Sequence, residues 1–170
     1  MRKGFTLVEI LIYIAVLAII IAAVSSFILW QISSGAKSRA IREARYNAER
    51  ALLIMTQEIR EAKSVYTPTA TSTQLSLEIS HSLPAGETSA FVDFFLCGAG
   101  KTTLCVKRES EDALVLTSDR VEVSQLEFLQ ISTTTPSIQI NLKMNYKNPQ
   151  DRPEYRASIN ITSTFSLRSY

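Results

Sequence analysis

The stretch GFTLVEILIYIAVLAIIIAAVSSFILW, residues 4–30, decides the fold of this 170-residue chain. From Ile10 to Trp30 it has no charged residue, no proline and no glycine. A helix of this length, at about 1.5 Å per residue, measures about 31 Å, which is enough to cross the hydrocarbon core of a bilayer. Apolar side chains occur on every face, so no side of the helix can turn toward water. The stretch therefore predicts a membrane-spanning helix with one acidic residue, Glu9, near its start.

Two ordinary kinds of segment fit this helix only in part. A secretory signal peptide explains the basic Arg2 and Lys3, but its apolar core is about 7–15 residues long and ends at a cleavage site of small residues. Only residues 22–23 and 25–26 offer such a site here, and only weakly. A plain transmembrane anchor explains the length but not Glu9, because a charge at the bilayer centre costs about 2.5–3.5 kcal/mol on insertion scales.

The hexapeptide GFTLVE, residues 4–9, resembles the processing site of type IV prepilins and pseudopilins. A short basic leader, Gly4, the sequence Phe-Thr-Leu, a Glu at the fifth mature position and the apolar run carry the resemblance. It implies a leader at residues 1–4, cleavage after Gly4 by prepilin peptidase, N-methylation of Phe5 and a transmembrane or filament-core helix at residues 5–32. It also implies assembly with other pilin or pseudopilin subunits.

Glu9 has two explanations, which are compatible before assembly. In a filament of stacked helices, the amine that cleavage creates on Phe5 of one subunit can meet Glu9 of its neighbour. Breaking such a buried pair costs several kcal/mol, so the pairing would fix the register of the filament. In the simpler explanation, Glu9 lies near the headgroups and complements the dipole at the start of the helix.

The charges on either side of the span favour the membrane orientation opposite to the one that the resemblance implies. Two basic residues precede the span and four follow it: Lys37, Arg39, Arg42 and Arg45. The positive-inside rule alone favours the C-terminal side inward. The resemblance implies the leader in the cytoplasm, the helix in the inner membrane and the head outside, and later a filament in the periplasm or at the cell surface. The basic residues would then meet anionic lipid headgroups on the outer face.

Residues 33–66 predict an amphipathic helix that continues the apolar one. Apolar residues recur in steps of three and four and mark one face. These residues are Ala40, Ala44, Ala48, Ala51, Met55, Ile59 and Ala62. Glu58 and Glu61 alternate with Arg60 and Lys63, which indicates a solvent-facing side with salt bridges. One continuous helix is expected, with a break at Ser33-Ser34-Gly35 as the alternative.

Residues 67–170 predict an antiparallel β-rich head. After a Thr-rich linker at residues 67–73, strand-like runs occupy residues 74–80, 90–97, 103–108, 113–117, 121–131, 137–147 and 154–168. In SIQINLKMNYK, residues 137–147, apolar and polar residues alternate as in a half-buried strand. Since no helical pattern separates the runs, an antiparallel meander is expected. The fold class is therefore α+β and pilin-like, with the long helix packed on the sheet.

Two cysteines flank a glycine-rich turn. CGAGKTT, residues 97–103, looks like a phosphate loop, but Phe95 occupies the position of the first Walker glycine and a strand follows where a helix is required. A hairpin turn with both glycines at positive φ is the favoured interpretation. The seven residues between Cys97 and Cys105 fit no zinc or redox spacing. A disulfide across paired strands is favoured over two free thiols.

The remaining polar features predict no catalysis. ESED, residues 109–112, could hold calcium, but a solvated turn is favoured. His81, the only histidine, is expected at the surface. No Ser, Cys or Thr has a visible base partner, so neither an enzyme nor a cofactor or metal site is expected. A formal net charge of +2 without a long basic block makes nucleic-acid binding not evident.

The sequence thus predicts a minor structural subunit of a type IV pilus or a type II secretion pseudopilus. The missing mid-helix proline and the segment ALLIMTQEIREAKSV, residues 51–65, resemble J-type minor pseudopilins and W-type minor pilins. The alternative is a single-pass, membrane-anchored envelope protein that binds a ligand and has no part in filaments. An anchored envelope enzyme is a third and weaker alternative.

Overall fold

A computed structural model describes residues 6–67, 70–81, 83, 86–132 and 136–167. The chain begins with helix α1 (Leu7–Glu61), which is followed by eight strands and a short 3-10 helix (Pro153–Tyr155). The strands are β1 (Ala62–Val65), β2 (Leu75–Ile79), β3 (Ala90–Cys97), β4 (Thr103–Arg108), β5 (Leu114–Val115), β6 (Val121–Ser132), β7 (Ser137–Tyr146) and β8 (Ser158–Ser166). The predicted α+β class is confirmed.

Helix α1 is continuous over 55 residues, or about 80 Å. Thr6 caps its start and accepts a 3.4 Å hydrogen bond from the backbone of Glu9. The alternative of a break at residues 33–35 is wrong, because Ser33 Oγ donates to the carbonyl of Trp30 at 2.9 Å within an intact helix. A hydroxyl bonded back to the preceding turn in this way bends a helix but does not break it.

The helix ends earlier than the apolar stripe indicates. The amphipathic helix was expected to reach residue 66, but it ends at Glu61 and the next four residues form β1. Ser64 and Val65 pair with Glu78 and Leu77 of β2. Sheet pairing supplies the hydrogen bonds that another helical turn would have supplied, and so it overrides the local helix propensity.

The head consists of two antiparallel meanders. Sheet A has the order β1-β2-β3-β4-β5, and sheet B has the order β6-β7-β8. Every neighbouring pair is antiparallel and consecutive in sequence, which confirms the predicted meander. The two sheets meet along the free edge of β6, where Val123 donates to the carbonyl of Thr102 at 2.7 Å and Phe128 to that of Ser72 at 2.8 Å.

Two of the predicted strands are shorter than their sequence pattern. The run at residues 113–117 pairs only at Leu114 and Val115. The run at residues 154–168 begins with the 3-10 helix, because Pro153 lacks the N–H that a strand needs, and β8 starts at Ser158. The turns predicted at residues 83–86 and 135–136, and the linker at residues 67–73, fall partly outside the described residues.

The apolar stripe of α1 forms the helical side of the core. All seven of its residues from Ala40 to Ala62 are at most 1 % exposed, as the pattern predicts. Five of them are alanines, whose small side chains let the strands approach the helix closely. Inward residues of β2, β3 and β7, such as Leu77, Phe94 and Leu142, fill the other side of the core. The head is therefore fixed to α1 from residue 40 onward.

Candidate functional site

The first half of α1 lies outside the packed head. Every residue from Leu7 to Ile32 is exposed, and most of them are Ile, Leu, Val or Ala. This part of the helix is long and apolar enough to cross a membrane. A bare apolar surface of this extent cannot remain in water, so it marks a membrane-spanning or interaction segment. These properties suggest membrane anchoring through the N-terminal helix.

Glu9 lies in the first turn of this exposed helix. Its backbone N–H bonds to Thr6, and its carboxylate has no ion-pair partner among the described residues. Gly4 and Phe5, the predicted processing residues, lie outside the described residues. The predicted contact between Glu9 and the Phe5 amine of a neighbouring subunit therefore stays a prediction.

The cysteine pair closes the β3–β4 hairpin. Cys97 Sγ and Cys105 Sγ form a disulfide, with the Cα atoms 5.9 Å apart. In the register of the two strands Cys97 faces Thr103 and Cys105 faces Phe95, so the bridge runs diagonally across the ladder. The bridge therefore joins strands β3 and β4 next to the glycine-rich turn.

The CGAGKTT segment is the turn of this hairpin. Lys101 donates its backbone N–H to the carbonyl of Gly98 at 3.1 Å, and strand β4 follows. The expectation that both glycines have positive φ is wrong. Gly98 has φ +83, but the second left-handed residue is Lys101, at φ 49. No helix N-terminus faces the loop, so the arrangement that binds phosphate in a Walker loop does not form.

The acidic segment at residues 109–112 forms the next turn. Glu109 and Phe91 exchange hydrogen bonds, because Phe91 N–H donates to Glu109 Oε2 at 3.1 Å and Glu109 N–H donates to the Phe91 carbonyl at 2.9 Å. One carboxylate of the segment is thus bound to strand β3, and the turn itself is closed by the Glu111 N–H, which donates to the Arg108 carbonyl at 3.1 Å. Across the described part of the chain, no three His, Cys, Asp or Glu side chains gather as metal ligands would.

The last turn of α1 carries a buried carboxylate that the sequence pattern placed in solvent. Glu58 is 6 % exposed, and its Oε1 accepts a 2.5 Å hydrogen bond from Arg108 Nη2 at the end of β4. Glu58 Oε2 is buried and accepts no hydrogen bond within the described chain. His81, expected at the surface, is half-exposed, and its Nε2 lies 3.4 Å from Glu61 Oε2 and 3.7 Å from Glu58 Oε2. These contacts join the C-terminal end of α1 to sheet A.

A second polar contact fixes the middle of α1. Asn47 is 3 % exposed, and its Oδ1 accepts a 2.8 Å hydrogen bond from the backbone of Ser118. Its Nδ2 donates to the carbonyl of Glu43 at 2.9 Å, and Ser118 Oγ donates to Glu43 Oε1 at 3.3 Å. No spacing signal in the sequence indicates this contact, since its two halves are 71 residues apart.

Surface ion pairs lower the pKa values of two acidic groups in the head. The Lys63 ammonium, together with the Ser64 hydroxyl, lowers the pKa of Glu78 below its usual 4.5. The Arg156 guanidinium forms two hydrogen bonds with Asp151 and lowers the pKa of that carboxyl below its usual 3.8. The first pair joins strands β1 and β2, and the second lies within the segment that precedes β8.

The structure combines two parts. An exposed apolar helix projects from a head that is fixed to the second half of the same helix. Residues 1–25 match the family described as the prokaryotic N-terminal methylation motif, so the start of the chain is type IV prepilin-like. No curated protein and no solved structure is significantly similar to the chain.

Proposed function

We propose that this chain, with its type IV prepilin-like N-terminus, is a minor structural subunit of a type IV pilus or a type II secretion pseudopilus. The observation that carries the proposal is the position of the methylation motif. It lies at the start of an exposed apolar helix that continues without a break into the head. No enzymatic activity is part of the proposal.

Processing is the first step of the proposed function. Prepilin peptidase cuts after Gly4 and methylates the new amine on Phe5, so residues 1–4 are removed and the apolar helix stays attached. Removal of Arg2 and Lys3 also removes both basic residues that precede the span. The mature chain then stays in the inner membrane until assembly, with its head outside the cytoplasm. The disulfide supports that location, since such bonds persist in oxidising compartments.

Assembly is the second step. The exposed part of α1 from Leu7 to Ile32 measures about 39 Å, which exceeds the hydrocarbon thickness and is all available for contact with other helices. In the filament the neighbours replace lipid around this surface. The Phe5 amine of one subunit and Glu9 of another then become one buried ion pair, and an uncompensated charge at either place would be costly.

The minor role rests on details of the helix. The apolar half of α1 has no proline, and Ser26 bonds back to the carbonyl of Ala22 at 2.9 Å in an intact helix. The apolar half therefore lacks the weak point that a mid-helix proline creates when it removes a backbone hydrogen bond. An unbroken helix suits a subunit with a special position in the filament, such as one near the tip.

The first experiment determines the N-terminus of the mature protein by mass spectrometry of the membrane fraction. We expect the chain to begin at N-methylated Phe5. Gly4→Val should leave the chain at full length, whereas Gly35→Val should be processed normally, because a Cβ at Gly35 meets no atom within 4 Å. An intact Met1 start in the unmodified protein would refute the proposal and favour a plain anchor. A cut near residue 25 would favour a signal peptide.

A further inference from the structure

The head has a pocket at the end that faces the membrane half of α1. It measures about 260 Å³ and lies between the helix and two loops of the head. Its lining residues are Ala36, Arg39, Ala40, Glu43, Arg120, Tyr146 and Tyr155. Ala40 is the first buried residue of α1, so the pocket is at the place where the helix enters the head.

The pocket lies close to the end of the apolar segment. Ala36 is six residues beyond Trp30 and Arg39 is nine, which correspond to about 9 Å and 14 Å along the helix axis. The headgroup layer on each side of a bilayer is about 5–8 Å thick. Helical side chains point toward the helix N-terminus, which here is toward the membrane, and an arginine stem adds several ångströms of reach. Arg39 can therefore reach headgroup phosphates.

The two arginines that line the pocket outnumber its one carboxylate, Glu43. Neither Arg39 nor Arg120 forms an ion pair with the residues that the structure describes. Glu43 Oε1 already accepts hydrogen bonds from Asn47 Nδ2 and Ser118 Oγ, both at 3.3 Å. Four further cations flank this end of the head: Lys37, Arg42, Lys147 and Arg152. Three acids without a described ion pair adjoin the same loops: Asp119, Glu122 and Glu154.

The loops that carry these cations are held in place. Lys147 donates its backbone N–H to the carbonyl of Arg120 at 2.8 Å, which joins the two loops. Asn148 and Arg152 bond reciprocally at 2.7 Å and 2.9 Å and close the second loop. The rings of Tyr146 and Tyr155 stack with centroids 5.9 Å apart, and tyrosine is enriched at membrane interfaces. The site is therefore preformed.

We propose that this pocket binds the phosphate of an anionic phospholipid and holds the head down on the membrane from which α1 emerges. Arg39 and Arg120 contact the phosphate, and the flanking cations add attraction to the charged surface, which acts within a Debye length of about 8 Å at physiological salt. This inference rests on the membrane anchorage in the proposed function, but it requires neither cleavage nor a filament. Docking gives the unassembled subunit one defined orientation.

The test uses the full chain in nanodiscs of phosphatidylcholine alone or mixed with phosphatidylglycerol. Hydrogen exchange of residues 147–156 is measured in both. We expect slower exchange in the anionic discs and loss of the difference at high salt. The double variant Arg39→Gln/Arg120→Gln should lower the ratio of docked to undocked heads by about fivefold per removed cation. Both arginines are exposed, so the fold should not change.

The matched control removes two cations from the opposite end of the head. Arg60→Gln/Lys107→Gln changes exposed residues without described ion pairs, and Arg60 lies about 31 Å beyond Arg39 on the helix. The control should keep the full difference between the two disc types. Equal exchange of the unmodified protein in both disc types, or an equal loss in control and test variants, would overturn the proposal. The same protection from inorganic phosphate in neutral discs would also overturn it and would indicate a site for the free anion.

The outcome is separable from that of the proposed function. Co-purification of the chain with both disc types reports the membrane insertion, and the N-terminal mass reports the processing. A chain that inserts and is processed but shows no lipid-dependent protection would refute only the lipid site. A chain that is not processed but shows the protection would refute only the filament role.

Discussion

Arg108, at the end of β4, donates a 2.5 Å hydrogen bond to the buried carboxylate of Glu58, which lies fifty residues earlier in the last turn of α1. The side chain of Glu58 is 8 % exposed and that of Arg108 is 37 % exposed, so the acid is the desolvated partner. A carboxylate in this position needs its cation, because a buried charge without a partner is expensive. The pair therefore couples the end of the helix to the stability of sheet A.

Arg108→Met keeps the apolar stem and removes the charge. We expect a loss of about 2 kcal/mol in the free energy of unfolding, since a hydrogen bond to a charged group contributes about 1.5–3 kcal/mol and Arg108 is partly solvated. Urea denaturation of the detergent-solubilised protein, followed by near-ultraviolet circular dichroism, measures this loss. Arg45→Met breaks the exposed pair with Glu49 and should cost at most about 0.5 kcal/mol. Equal effects of the two variants would contradict the importance of burial.

Asn47→Ala removes the side chain that joins the middle of α1 to the loop before β6. The backbone N–H of half-buried Ser118 then loses its acceptor, and a donor without a partner costs about 1–3 kcal/mol where water is excluded. We expect a destabilisation in that range, together with faster hydrogen exchange at Ser118. Gln57→Ala is a suitable control, because Gln57 is an exposed helical amide whose described side-chain hydrogen bond, at 3.4 Å, is to Glu61. Unchanged exchange at Ser118 in Asn47→Ala would contradict the assigned contact.

The apolar pattern predicted the helical half of the core correctly, because burial of one helix face requires the three-and-four spacing. It could not predict the burial of Glu58. In the segment EIREAK, residues 58–63, charges alternate, and which of them faces the head depends on where β4 ends. The same limit applies to the pocket beside Arg39, because the lining residues outside the helix, Arg120, Tyr146 and Tyr155, lie about 80–115 positions later in the chain.

The strand pattern predicted the antiparallel meander, because alternating residues lie on opposite faces of a strand. It missed β1 because Ala62 and Lys63 favour a helix, and only pairing with β2 makes them extended. It also assigned the second positive φ of the β3–β4 turn to Gly100, although the structure gives it to Lys101. Composition shows that a turn contains residues that tolerate positive φ. Which residue adopts it follows from the hydrogen bonds of the hairpin.

Glu78 makes the stability of the head depend on pH. Lys63 Nζ, at 2.9 Å, and Ser64 Oγ, at 2.8 Å, donate to its carboxylate and lower its pKa below 4.5. The stabilisation is therefore complete above pH 4.5, the unfolded value, and is lost as the pH falls through the lowered folded pKa. We expect Glu78→Gln to cost about 0.5–1 kcal/mol near pH 7 and almost nothing at strongly acidic pH. Glu111→Gln, in an exposed turn, should show no such pH-dependent difference from the unmodified protein in urea denaturation.

The disulfide between Cys97 and Cys105 closes a short loop. In the chain-entropy account, a loop of this length contributes about 2–3 kcal/mol, so we expect Cys97→Ser/Cys105→Ser to lower the free energy of unfolding by that amount. Protein purified from the cell envelope should show no alkylation before reduction and two alkylated cysteines after it, by mass spectrometry. Reaction of both thiols before reduction would contradict the disulfide and favour two free cysteines.

Replacement of Glu9 separates its two explanations. We expect Glu9→Ala to insert into the membrane and to be cleaved after Gly4 like the unmodified chain, because neither step uses the charge pair. Incorporation into filaments should fall more than tenfold, since an unpaired buried amine on Phe5 costs about 3–5 kcal/mol. The fraction of subunit recovered in sheared filaments, relative to the membrane, measures this. Glu49→Ala removes an exposed acid from the same helix beyond the membrane and should assemble normally. Undiminished incorporation of Glu9→Ala would exclude the charge pair and leave the helix dipole as the role of Glu9.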